Sequence, residues 1–303
     1  MSAPEPVAAV IPLQPRRRPV LALGAALRPR QWTKNLLLFA GIVFAAEIGD
    51  AGRWLAAGAA FVLYCAASSA AYLVNDLVDA PADRLHPVKR RRPIARGEIT
   101  PRIAVFAAVA LVGLAAGLAV ALGPVALGFL ALFLAIQAGY TLGLKHVVLV
   151  DVMAIAALFV VRAAAGAGAV DVRISPWLLV CTALLALFLA LGKRRGELVL
   201  VGAEATPGRP VLEGYSLELV DQLVAIVAAA TVLSYTVYTL TARESQALAA
   251  TIPFVLFGIF RYVLLLHRGG GGEEPENVLV TDAPILATVA GWAAVSATIL
   301  VLS

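Results

Sequence analysis

Apolar residues run along this chain in long blocks, each broken by a short cluster of charge. The blocks cover about 35–49, 54–74, 103–122, 125–142, 147–170, 176–192, 222–241, 248–266 and 283–302. Most approach or exceed the ~18 residues that a helix needs to cross a bilayer. Lipid offers no water to satisfy backbone groups, so blocks of this kind predict helices. The pattern therefore predicts nine transmembrane helices, the first of them short and ending near Glu47 and Asp50. Val20 to Leu27 is too short to cross. It lies between basic clusters and predicts a helix resting on the membrane surface. Residues 1–19 are rich in proline and then basic, which predicts a disordered N-terminal stretch ahead of one transmembrane domain over 20–303. Gly269 to Gly272 reads as a flexible loop.

Composition agrees. The chain has 303 residues, 61% hydrophobic and 14% charged, against about a quarter charged in a soluble domain. Mean hydropathy is +0.90. The expected class is an all-α polytopic membrane protein with its helices around a central cavity. The net charge of +5 belongs to individual loops and does not point to nucleic acid. Cys65 and Cys181 sit inside apolar blocks and read as packing residues.

Charge also orients the chain. With the N-terminus inside, 20 of the 24 Lys and Arg residues fall in inside loops, and Arg53, Arg173 and Arg243 fall outside. That bias predicts a cytoplasmic N-terminus and a C-terminus on the far side of an inner membrane. Arg162 alone falls within a span. An intramembrane arginine needs partners, and Asp151, ~16 Å away along the same helix, is too distant. Each must find a partner elsewhere, as helix–helix glue or in a site.

The chemistry gathers on the predicted cytoplasmic side. Asn75, Asp79 and Asp83 are spaced to share one helix face, with Asp76 beside them. Three carboxylates this close repel unless a cation sits among them, and oxygen donors suit Mg²⁺. Basic or polar groups flank other span ends. They are Arg28 and Lys34; Lys89, Arg90 and Arg92; Tyr140 and Lys145; and Lys193, Arg194 and Glu197. Together these groups suit a phosphate-rich ligand around a divalent ion. Each cation could equally be a loop anchor. Arg195, about 100° around a helix from Arg194, is expected to face lipid headgroups. His86, His146 and His267 lie at loop edges and are not expected to hold metal.

At the motif Asn75-Asp76-x-x-Asp79-x-x-x-Asp83 the chain resembles the UbiA superfamily of intramembrane prenyltransferases. The resemblance runs from Arg28 to the last span. It implies nine helices around a cavity, with Mg²⁺ and a diphosphate held by Asn75, Asp76, Asp79 and Asp83, the three aspartates being catalytic. A narrower set of matches covers Arg28 to Asn35, Tyr72 to Asp76, His86 to Arg90, Arg92 to Ala95, Gly143 to His146 and Gly192 to Arg194 with Glu197-Leu198. It is similar to the branch that moves 5-phosphoribose from phosphoribosyl diphosphate (PRPP) onto decaprenyl phosphate for cell-wall arabinose donors. The substrates implied are PRPP and a polyprenyl phosphate, in contact with membrane lipids; monomer and homo-oligomer both stay open.

One departure from the broad family carries information. Prenyltransferases with aromatic acceptors have a second acidic motif near the sixth span. Here that place reads Gly192-Lys193-Arg194-Arg195-Gly196-Glu197. A phosphorylated donor and a phosphorylated acceptor need cations more than acids. Transfer of an isoprenoid to an aromatic or haem acceptor is the competing enzyme reading. A transporter is disfavoured, because no repeat and no matched pair of broken helices is visible.

Overall fold

The structure is a computed structural model of the whole chain. It describes residues 18–44, 49–85, 89–201, 210–242, 245–268, 278 and 281–302. The expected disorder up to residue 17, the end of the first span at Glu47, His86 and the Gly269–Gly272 loop lie outside the described residues.

Among the described residues every regular element is helical. They are α1 (Pro19–Ala26), a 3-10 segment (Pro29–Phe39), α2 (Ala40–Phe44), α3 (Ala51–Leu85), α4 (Pro101–Leu122), α5 (Pro124–Leu142), α6 (Val150–Ala169), α7 (Pro176–Val201), α8 (Leu217–Thr241), α9 (Ile252–His267) and α10 (Ala283–Leu302). Short 3-10 turns at Lys89–Arg91, Leu144–His146 and Pro210–Gly214 join helices at one end of the bundle, and Gln246–Thr251 leads into α9. Eight helices among the described residues are long and apolar enough to cross a bilayer.

The first expected span takes another form. Its described part is the 3-10 segment followed by α2, five residues long. A 3-10 helix rises about 2.0 Å per residue against 1.5 Å for an α-helix. Pro29 to Phe44 therefore reaches about 30 Å, the thickness of a hydrocarbon core. At 35 residues, α3 is about 50 Å long. Its last turns, with the acidic motif, stand beyond the apolar layer.

Packing explains why α3 and α6 form the centre. Helices in lipid associate through close contact of small residues, because lipid tails are as apolar as leucine. The buried face of α3 includes Ala57, Ala60, Ala66, Ala67, Ser68 and Ala70, and that of α6 includes Ala163 to Ala167. The 3-10 segment and α2 lie against this face of α6. A Cβ added at Gly166 would sit 2.1 Å from the Leu38 carbonyl oxygen, and one at Gly41 would sit 2.7 Å from the Ala167 Cα. Backbone meets backbone here, so no side chain can move aside.

Gly166→Ala should therefore force the 3-10 segment off α6 at a cost of about 1–3 kcal/mol or more. Gly113→Ala is the control, since nothing lies within 4 Å of a Cβ there. Thermal unfolding in detergent should show a clear loss for the first and none for the second.

Candidate active site at the charged end of the bundle

The site is built on one stripe of α3. Cys65, Ser68 and Ser69, Tyr72, Asp76 and Asp83 recur at helical spacing and face neighbouring segments. The Ser69 hydroxyl donates to the Leu27 carbonyl at 2.9 Å and accepts from Trp32 Nε1 at 3.0 Å. These bonds pin the corner between α1 and the 3-10 segment onto α3. Arg28, at that corner, has a left-handed backbone with φ 54°, a strained conformation for a side chain with a Cβ. Its guanidinium lies over the Tyr72 ring, 4.9 Å from the centroid, and donates to Asp76 at 2.5 Å.

The loop after α3 delivers the second cation. Pro93, Ile94 and Ala95 are buried, and Ile94 packs with Ala80 and Leu73. This holds Arg92 over the motif, where one nitrogen donates to Asp83 at 2.7 Å and to Asp76 at 3.1 Å. The third cation comes from the turn after α5. Lys145 donates to Asp79 at 2.6 Å, and Asn75 donates to the other oxygen of Asp79 at 3.0 Å. Asp76 and Asp83 are only 2% and 3% exposed. Asn75, Asp76, Asp79, Asp83, Arg28, Arg92 and Lys145 thus form one cluster. Lys89 is close enough to act electrostatically on Asp83. Arg90 is exposed, and Lys34 is half-buried.

A second cluster surrounds Arg194, which is 1% exposed. Its guanidinium donates to Asp151 at 2.6 Å and to Glu197. Tyr140 is near enough to feel its charge. The Tyr215 hydroxyl donates to the other oxygen of Asp151 at 2.6 Å and accepts from the Leu149 amide at 2.7 Å. Leu149 is another non-glycine residue with positive φ, 67°. Burial and the bond to Asp151 push the Tyr215 hydroxyl up to about 12, so it remains a donor near neutral pH. Lys193 is half-buried.

One expectation changes here, and one is met. Arg195 does not face lipid headgroups: it is 9% exposed and donates to Asp221 and to the Leu266 carbonyl, each at 2.6 Å. The helix turns it by 100°, but toward α8 and α9, not toward lipid. Asp151 and Arg162 both find partners on other segments. Arg162 donates to Asn35 at 2.8 Å, to the Leu158 carbonyl at 3.0 Å and to Ser68 at 3.4 Å, beneath the rings of Phe133 and Phe159. Tyr72, Tyr215 and Ser69 were not anticipated. The repeat of polar residues along α3 was the available signal for Tyr72 and Ser69; nothing local marked Tyr215.

Below the charged end lies an apolar cavity of about 590 Å³ between α7, α8, α9 and α10, closed on one side by the 3-10 segment, α2 and α6 and lined by residues such as Leu185, Phe188, Tyr235 and Trp292. Leu189, at its site-ward end, is five residues and so about 8 Å along α7 from Arg194.

Among the described residues no three acids, histidines or cysteines are gathered around one point. The donor chemistry nevertheless fits a hard divalent cation, since Asn75, Asp76, Asp79 and Asp83 offer only carboxylate and amide oxygens. The Arg92 nitrogen bridging Asp76 and Asp83 shows that one positive centre can be shared between them.

These features define a membrane-embedded helical enzyme with a charged cluster above an apolar cavity. Residues 36–278 match the model of the UbiA prenyltransferase family, and the chain belongs to that family. It is 34% identical to a decaprenyl-phosphate phosphoribosyltransferase of Corynebacterium glutamicum, over 92% of this chain and 86% of that one. It is 33% identical to the protein of that name in Mycolicibacterium smegmatis, over 92% of each chain. Among solved structures it is similar to a UbiA homologue of Archaeoglobus fulgidus bound to GPP and Mg²⁺. The TM-score is 0.73 at 19% identity, over 93% of this chain and all of that one.

The Arg194 geometry separates a structural role from phosphate binding. Arg194→Leu leaves Asp151 charged, buried and short of its cation, which should cost about 3–5 kcal/mol. Adding Asp151→Asn should recover part of that loss. Thermal unfolding of the two variants checks this. A stable Arg194→Leu protein with only a raised KM would restore the reading of Arg194 as a phosphate contact.

Proposed function

We propose that this protein transfers 5-phosphoribose from PRPP to a polyprenyl phosphate, releasing diphosphate. The observation that carries the reading is the set of cations at the motif. Arg28, Arg92 and Lys145 come from three different segments and converge on Asp76, Asp79 and Asp83. A donor with a diphosphate and a 5-phosphate, meeting a phosphorylated acceptor, brings more anionic groups than a prenyl diphosphate alone. The names of the relatives in Corynebacterium and Mycolicibacterium support the same substrates.

Asn75, Asp76, Asp79 and Asp83 would hold Mg²⁺, which would neutralise the leaving diphosphate. The chain's own groups do the rest. Arg28, Arg92 and Lys145 bind and orient donor phosphates, and Lys89, Lys34, Lys193 and Tyr140 add further contacts to the substrates. The acceptor oxygen is already an anion at neutral pH, so no strong base is needed. The barrier lies in breaking the C1–diphosphate bond, with positive charge developing on the ribose ring as in other glycosyl transfers. The prenyl tail occupies the apolar cavity. The charged end faces the cytoplasm, where PRPP is available, and the N-terminus lies on that side of the cell membrane. A role in building cell-wall arabinose donors follows from the same reading.

The deciding experiment incubates the purified protein with Mg²⁺, PRPP and decaprenyl phosphate and identifies lipid products by mass spectrometry. A phosphoribosylated lipid is expected. Product only from prenyl diphosphate and an aromatic acid would replace this reading with prenyl transfer. Asp79→Asn removes one charge from a side chain that is 28% exposed, so folding should survive. Phosphoribosyl transfer should fall more than a hundredfold at any Mg²⁺ concentration.

A further inference from the structure

A carboxylate that grips one cation is not free to grip another. Every aspartate of the motif is already engaged here. Asp76 holds Arg28 and Arg92, Asp83 holds Arg92, and Asp79 holds Lys145, at 2.5 to 3.1 Å. None of the three cations comes from α3. Each arrives from a separate segment: the corner at Arg28, the loop at Arg92 and the turn at Lys145. Each of the three carboxylates is paired with at least one of these three cations, and Lys89 adds a further positive charge near Asp83.

This pairing restricts what can enter. A divalent cation alone must push Arg28, Arg92 and Lys145 off their carboxylates and leave three cations without anions in a half-buried pocket. A diphosphate alone must draw the cations away and leave Asp76 and Asp83 unpaired at 2% and 3% exposure. Uncompensated buried charge is strongly disfavoured in either case. Metal and diphosphate together leave both the aspartates and the cations with partners.

We propose that Arg28, Arg92 and Lys145 are exchange partners. They leave the aspartates for the donor's phosphates as the aspartates take the metal, so that metal and diphosphate bind as a coupled pair. The inference rests on the metal role assigned to the motif above and goes beyond it. It makes the ion pairs seen here a lock against either component alone. Coupling of this kind is reciprocal: each component raises the other's affinity by the same factor. Arg92 and Lys145 sit on turns outside the long helices, at 25% and 12% side-chain exposure, and can swing without moving α3.

The exchange predicts an unusual gain. Neutralising a competing cation should make the aspartates better ligands for metal alone. Purified protein in detergent, without PRPP or lipid, is titrated with Mn²⁺, and free Mn²⁺ is read by electron paramagnetic resonance. Arg92→Gln should bind Mn²⁺ at least tenfold more tightly than the wild-type protein, and Lys145→Gln should show a smaller gain in the same direction. Lys145→Gln serves as the second variant because its partner Asp79 is the more exposed acid, which keeps the test open if Arg92→Gln unfolds. In a companion measurement at fixed free Mg²⁺, radiolabelled inorganic diphosphate should bind the wild-type protein at least tenfold more tightly than without Mg²⁺. Arg92→Gln should lose most of that enhancement. Mn²⁺ affinity unchanged or weakened in both variants would overturn the proposal. So would diphosphate binding to the wild type that is indifferent to Mg²⁺. Neither readout involves PRPP, so a failure here is distinct from a failure of the phosphoribosyl assay.

Discussion

The structure depends on one constraint: charge placed in or beside a bilayer must be matched by protein, because lipid cannot solvate it. The α3 stripe is where this matching is concentrated. Asp76 and Asp83 accept from Arg28 and Arg92, and Asp79 accepts from Lys145. Such pairs add little to net stability, because desolvating the ions offsets most of their attraction. Their effect is positional. They fix three otherwise independent segments over the end of α3.

A second matched set lies across the bundle, and it has another character. Arg194, Asp151, Glu197 and Tyr215 tie α6, α7 and the turn before α8 into one unit. Arg195 and Asp221 tie α7 to α8, and the Leu266 carbonyl brings in α9. The motif cluster contains partly exposed members; this one is sealed around Arg194. The same residue types are therefore sealed in one cluster and partly open in the other, and burial sets the two apart.

The helices themselves were plain in the sequence, because a lipid-facing span must be apolar all round and this leaves long blocks. Eight of the nine expected spans are single helices long enough to cross. The first was hard to place because a 3-10 segment covers the same depth with fewer residues, so hydropathy alone makes it look truncated. The acidic motif was legible because three acids in nine residues are costly anywhere. The partners of Arg194 and Arg195 were not. A basic residue in an inside loop and one buried under a tyrosine look alike in a sequence, since the difference lies in Asp151, Tyr215 and Asp221, tens of residues away. For the same reason Arg195 looked like an outward control and is in fact buried.

Arg162 shows how far the constraint extends from the pocket. Its partners are neutral: the Asn35 amide oxygen, the Ser68 hydroxyl, a carbonyl of its own helix and two ring faces. Asn35 in turn donates to Cys65 of α3 at 3.3 Å. The 3-10 segment is thus held at three depths. Arg28 meets Asp76 at its head, Asn35 meets Arg162 in its middle, and Leu38 meets Gly166 near its tail. A 3-10 helix has poorer hydrogen-bond geometry than an α-helix and is rarely this long. It needs outside support, and this segment receives it from α3 and α6 together. A buried guanidinium without a carboxylate is a costly way to supply that support, yet an acid in its place beside Asn35 would pair with it and draw Arg162 off the amide. The neutral partners keep the charge delocalised over several weak contacts. They bind the segment to both central helices at once, and so hold Arg28 where the motif requires it.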